Sequence, residues 1–163
     1  MRESMAELTL QFSSNRSVRE YTEQHYIPGA AAYRERAADR GAAGATIVAW
    51  QHALKDKWTT LRFGEPKVDT RDGEHVFEVQ LWLHGLDPRA VRVELYADAT
   101  AGGTTVRVEM KRGRKQASPG GDSYTFSATV PAGRPPEDFT PRVIPHRAGV
   151  AVPLEVDPIL WQR

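Results

Sequence analysis

From Thr59 to the end of the chain, apolar positions alternate with polar ones. Val79, Leu81 and Leu83 share one face of a strand, and Val91, Val93 and Leu95 share one face of the next, with Asp87-Pro88-Arg89 as the turn between them. Val106, Val108 and Met110 alternate with Arg107, Glu109 and Lys111. Tyr124, Phe126, Ala128 and Val130 alternate with Thr125, Ser127 and Thr129. Shorter candidates near 61–63, 142–144 and 159–161 bring the count to about seven strands, the pattern of an antiparallel β-sandwich of immunoglobulin-like type.

The first 58 residues have a different texture. Phe12-Ser13-Ser14-Asn15 offers side-chain oxygens that can cap a helix, and Val18, Tyr21 or Thr22, and His25 or Tyr26 then recur at helical spacing. A helix over about 16–26 follows, interrupted by Pro28-Gly29. A second helix is expected over about 30–58, rich in Ala, Arg and Glu, with Ile47, Trp50 or Gln51, Leu54 and Trp58 on one stripe. Gly41 and Gly44 cost about 1 kcal/mol each against Ala, which favours a bend or close packing there. The expected class is therefore α+β: an N-terminal helical segment, 1–58, followed by a β-sandwich domain, 59–163. The Ala-rich part buries little by itself and is expected to lean on something larger.

Composition narrows the chemistry. No cysteine is present, which removes thiol nucleophiles, disulfides and Cys-ligated metals. The 22 basic and 21 acidic side chains balance overall, and also within 1–60 and 61–163, so no general electrostatic case for nucleic acid arises. No apolar run is long enough for a membrane helix and no signal-peptide core follows Met1, so a soluble, cytoplasmic protein is expected.

The five histidines, His25, His52, His75, His84 and His146, form no His-x-His or HExxH motif. His75 and His84 fall on opposite faces if 74–84 is one strand. No Gly-x-Ser-x-Gly elbow places a nucleophile, so no catalytic, cofactor-binding or metal-binding residue is assigned. Glu94 and Glu109, on neighbouring expected strands, could face each other as an acid/base pair, but they share the solvent-facing side with Arg92 and Arg107 and read as a salt-bridged surface. Lys111-Arg112-Gly113-Arg114-Lys115, followed by the loop-like 116–121, reads as a charged hairpin loop that guards a sheet edge, with attraction of a phosphate or acidic partner as the alternative. Trp82 and Tyr96 have the parity of the polar faces of their strands. A pair of exposed rings suits either stacking of sugar rings or docking onto a neighbouring domain.

Phe12-Ser13-Ser14-Asn15-Arg16-Ser17-Val18-Arg19-Glu20-Tyr21 resembles the segment Phe-Ser-Ser-Asp-Arg-Thr-Ile-x-Glu-Tyr near the C-terminus of the α-glucan phosphorylases, the glycogen, starch and maltodextrin enzymes. Tyr26-Ile27-Pro28, Trp58-Thr59-Thr60-Leu61-Arg62-Phe63-Gly64, Arg142-Val143-Ile144-Pro145-His146 and Ile159-Leu160-Trp161 look like the tail of the shorter bacterial members. The resemblance implies the C-terminal portion of an enzyme that releases glucose 1-phosphate from α-1,4-glucans. Its Schiff-base lysine and pyridoxal phosphate would lie outside this chain. None of Lys55, Lys57, Lys67, Lys111 and Lys115 follows the family's lead-in to that lysine, so no catalytic residue carries over. The implied partners are the N-terminal catalytic domains of the same polypeptide. Members are often homodimers, and no residue pattern here marks a dimer face. A non-catalytic glucan-binding sandwich and a helix-mediated interaction domain are the competing readings.

Overall fold

The computed structural model describes residues 13–118 and 121–163 and divides into two compact units, with the boundary between Ile47 and Val48. Expectations resting on Phe12, on the opening residues 1–6, and on Pro119 and Gly120 lie outside the described residues. No described helix is long and apolar enough to cross a membrane.

The first unit is helical. Ser13 is the N-cap of α1 (Ser14–Tyr21), its Oγ accepting from the Arg16 amide at 3.3 Å. A π-helical turn, Thr22–Tyr26, runs directly into α2 (Ile27–Lys57). The expected interruption at Pro28-Gly29 does not occur. Pro28 falls in the first turn after the widened π segment, where the absence of its N–H and the bulk of its ring are both tolerated. The break comes instead at 38–41, where Asp39, Arg40 and Gly41 all take positive φ (50°, 58° and 80°). Only Gly41 adopts that region without a Cβ penalty.

The second unit begins inside α2 rather than after it. Trp50 and Leu54 are buried, Trp50 Nε1 donates to the Ala90 carbonyl at 3.2 Å, and Leu61, after the short 3-10 turn Trp58–Thr60, is fully buried. One sheet pairs β1 (Arg62–Phe63) and β2 (Lys67–Arg71) with the same edge of β3 (Glu74–Trp82). It continues through β7 (Gly121–Pro131) to β6 (Lys111–Ser118). The other runs β5 (Val106–Glu109), β4 (Val91–Ala97), β8 (Thr140–Pro145), β9 (Leu160–Trp161). All pairings are antiparallel, so the class is α+β. Alternation sets the core: Phe77, Val79 and Leu81 of β3, and Val93 and Leu95 of β4, are almost fully buried. Phe77 of the first sheet meets Phe139, just before β8 of the second, at 5.6 Å between ring centres.

The expected short strands at 61–63, 142–144 and 159–161 are present. Two strands were not expected. β2 shows no alternation because all five of its residues are exposed, and it forms a two-residue hairpin with β3 through Asp72 and Gly73, both at positive φ (53° and 77°). The basic run, expected as a loop, is the edge strand β6, which carries a register shift between Arg112 and Lys115. Backbone pairing to β7 reaches Ser118↔Gly121, so Gln116 and Ala117, also expected in a loop, belong to the strand. A charged, bulged edge strand resists pairing with another sheet edge, which is the protective role expected of those charges.

Candidate functional site

Trp82 and Tyr96 do not come together: Trp82 lies on the outward face of the β3 sheet and Tyr96 on that of the β4 sheet. Both are half-buried. A Cβ at Gly64 would stand 3.2 Å from the edge of the Trp82 ring, so the backbone there uses the missing side chain to lie against the indole. Opposite Trp82 on β7, Ser123 is buried. Beside it Gln80 Nε2 donates to Gln116 Oε1 at 2.8 Å.

Around Tyr96 the outward face is densely tied. Arg142 donates to Glu94 Oε2 through Nε (3.0 Å) and Nη2 (2.7 Å), and Arg92 Nη2 meets Glu94 Oε1 at 2.9 Å. The Arg142 guanidinium also sits over the rings of Tyr96 (4.4 Å) and Trp161 (5.2 Å), which themselves meet edge to face at 5.1 Å and 79°. Tyr96 Oη donates to Asp98 Oδ1 at 2.8 Å. Glu94, expected on a solvated surface, is only 5% exposed, because β8 and β9 bring Arg142 and Trp161 over it. Glu109 stands directly opposite Glu94 in the ladder but is exposed, so the two carboxylates share no acid/base environment.

His75 is buried in the β3 sheet. Its Nε2 meets the Arg134 carbonyl at 2.8 Å, an oxygen that can only accept, so Nε2 carries a proton, and Nδ1 shares a hydrogen bond with Thr70 Oγ1 at 2.7 Å. Both ring nitrogens are used structurally. His84 lies beyond β3 in a left-handed turn (φ 45°). Among the described residues no three His, Asp or Glu side chains gather as a metal requires.

One concave feature was not foreseen. After pairing with β4 through Glu94↔Glu109, the chain crosses at Met110, whose amide donates to the Val93 carbonyl at 2.8 Å, and continues as β6 in the other sheet. The edge of β4 at Val91 and Arg92 therefore has no strand beside it. A cleft of about 710 Å³ opens there, with Val93, Met110 and Phe126 in its wall and Arg89, Arg92, Lys111 and Arg112 around it. Asp87 Oδ1 accepts from the Arg89 amide at 2.8 Å, and Oδ2 from Arg89 Nη2 at 3.1 Å. The Arg89 guanidinium holds the Asp87 carboxyl below the usual carboxylate range, with the Arg89 amide and the Arg112 charge acting in the same direction. On β6, Lys115 pairs with Asp122, which raises its ammonium above the ordinary lysine value. Of the sequence signals, only the Lys111–Lys115 charge run pointed here. Its meeting with Arg89 and Arg92 depends on the sheet crossing.

No family model matches the chain. It is 27% identical over 154 residues to the maltodextrin phosphorylase of Thermococcus litoralis, a match that takes in 90% of this chain and 18% of that protein. The chain thus spans under a fifth of the curated relative's length. At this identity the likeness supports a phosphorylase-related segment at most.

Proposed function

We propose that this chain is a C-terminal accessory portion of an α-glucan phosphorylase, a glycosyltransferase that releases glucose 1-phosphate, and that its first unit braces the catalytic body. The observation that carries the reading is that no described residue ahead of Trp50 is buried, while Val18, Tyr21, Tyr26, Ile27 and Tyr33 are 59–72% exposed. Short helices gain most of their stability from packing an apolar face, so helices that bury nothing call for a covering surface. In this reading the cover is the rest of the same polypeptide, and the sheets form an immunoglobulin-like sandwich appended to it. The partial likeness to a maltodextrin phosphorylase supports the identity of that body.

The pyridoxal phosphate of such an enzyme belongs outside this chain. Lys55, Lys67, Lys111 and Lys115 are exposed, and the half-buried Lys57 donates to the Gly85 carbonyl at 2.6 Å. A Schiff-base lysine needs an enclosed, dry pocket, and these positions do not fit one. Stacking of a glucan on Trp82 and Tyr96 is the weaker reading. Stacking on a pair of rings needs both faces open on one surface, whereas Arg142 lies over Tyr96 and Trp82 stands on the other sheet.

An antibody raised against residues 59–163 tests the proposal on the native protein. The expected band is several times larger than 18.2 kDa, in a protein that forms glucose 1-phosphate from maltodextrin and phosphate. A native product of 18.2 kDa, or glucose 1-phosphate formed by the purified 163-residue chain, would overturn it. For the glucan reading, maltoheptaose affinity unchanged in Trp82→Ala plus Tyr96→Ala removes its basis.

A further inference from the structure

We infer that the cleft at the β5–β6 crossing is a binding site for a small amphipathic oxyanion, an anionic group carried on an apolar or aromatic body. The first ground is charge. Arg89, Arg92, Lys111 and Arg112 border the cleft against one bordering carboxylate, Glu109. Adding the carboxylates that pair with the bordering arginines, Asp87 and Glu94, and the Arg142 that shares Glu94, leaves five cations facing three carboxylates. Lys111 and Arg112 have no carboxylate partner among the described residues. Like charges gathered in a concave, partly apolar setting repel one another and focus a field on whatever anion enters.

The second ground is the wall. Met110 and Phe126 are 3% and 4% exposed and Val93 is 1%, so the base of the cleft is core surface rather than solvated side chain. A volume of about 710 Å³ falls in the range of small-molecule sites. An apolar base with cations above it matches a ligand with one hydrophobic and one anionic end. Arg112 is partly fixed, its guanidinium lying 5.8 Å from the Tyr124 ring centre. The third ground is Arg92. Its Nε is buried and finds no acceptor among the protein's own atoms, although Nη2 is bonded to Glu94. A guanidinium with one N–H already withdrawn from water and unbonded keeps a donor that an anion entering the cleft can satisfy.

Phenyl phosphate is the simplest probe, titrated into the 163-residue chain at fixed ionic strength and followed by calorimetry and by amide shifts. It should bind saturably at one site, shifting Met110 and Arg112, with at least about tenfold higher affinity than either inorganic phosphate, which lacks the apolar end, or benzyl alcohol, which lacks the charge. The double variant Lys111→Gln/Arg112→Gln, both exposed on an edge strand, should lose at least about tenfold, the worth of a single charge-assisted bond. Arg114→Gln, in the same basic run but outside the cleft, should lose less than about twofold. Arg89→Gln supplies an independent cleft variant if the double variant melts early. Equal losses in Arg114→Gln and the cleft variants would reduce the effect to general electrostatics and overturn the site. So would benzyl alcohol matching phenyl phosphate, or the absence of saturable binding.

Discussion

Glu94 and Arg142 form a nearly dry ion pair, their side chains 7% and 11% exposed, and the two partners should not be equally costly to remove. Glu94→Gln removes the counter-charge that Arg142 and Arg92 share, leaving Arg142 against two aromatic rings and near a second guanidinium. Stranding a buried charge in this way costs about 3–5 kcal/mol. Arg142→Met leaves Glu94 with Arg92, whose side chain is 35% exposed and still bonds Oε1 at 2.9 Å. The lost charge-assisted bonds and cation–π contacts then amount to about 2–3 kcal/mol, because the methionine keeps some contact with Tyr96 and Trp161. Removing both as Glu94→Gln/Arg142→Met should cost less than the sum of the single changes by about 2 kcal/mol, the coupling of groups in direct contact. Urea unfolding followed by far-ultraviolet circular dichroism measures all three, and the Glu94→Gln melting temperature should fall by about 10–20 °C. Single variants within about 0.5 kcal/mol of wild type, or strict additivity, would refute the reasoning and return the pair to the ordinary weight of a solvated surface bridge.

Leu54→Ala, at a side chain only 2% exposed, should destabilise the sheet unit by about 2–5 kcal/mol, whereas Tyr33→Ala, at 72% exposed, should stay within about 0.5 kcal/mol in the same denaturant series; similar effects would move the unit boundary. Gly73→Ala should cost about 1 kcal/mol from backbone strain alone, since φ is 77° and nothing lies within 4 Å of the added methyl; an unchanged urea midpoint would show that the hairpin tolerates the strain. The depressed Asp87 carboxyl adds stability that is fully present above its unfolded value and is lost as pH falls through its folded value. The gap between wild type and Arg89→Gln, small for so exposed a pair, should therefore close as the pH falls through and below the ordinary aspartate range; a gap that persists in strong acid would assign it to packing instead.

Period-2 patterning made β3, β4 and the apolar face of β7 readable, because each strand turns a continuous hydrophobic side to the core. It tells which way a side chain points, but not which sheet its strand joins. That is why Trp82 and Tyr96 shared a parity in the sequence and ended in different sheets, and why the contact of Arg142 with Glu94, 48 residues apart, had no local signature. β2 escaped notice because it buries nothing, although Asp72-Gly73 between two short runs is a hairpin signal that composition alone supplies. The basic run looked like a loop because charge and glycine are poor strand formers. Its partner β7, with an alternating face of its own, imposes the strand. Pro28 looked like a stop because the widened turn ahead of it depends on backbone geometry that no residue type announces.

The two groups of aromatic side chains argue in opposite directions about what this chain meets. On the sheets, Tyr96 gives its hydroxyl to Asp98 and a ring face to Arg142, Trp161 gives its edge or face to Tyr96, and Trp82 lies against Gly64. These rings are largely committed to holding the second unit together, so a ligand recruiting them would first have to displace a cation or a backbone segment. On the helices, Tyr21, Tyr26 and Tyr33 are 59%, 69% and 72% exposed, with Val18 and Ile27 beside them in the same condition. α1 and the helical turns that continue it as far as the break at 38–41 carry these side chains, and the Ser13 cap and the Arg16–Glu20 pair at 3.3 Å contribute only about 1–2 kcal/mol. In the proposed reading the helices meet the larger partner, and the crossover cleft takes the small ligand. Each can be removed by mutation without touching the other: substitutions at Val18 and Tyr21 should weaken docking while phenyl phosphate still binds, and those at Lys111 and Arg112 should do the reverse.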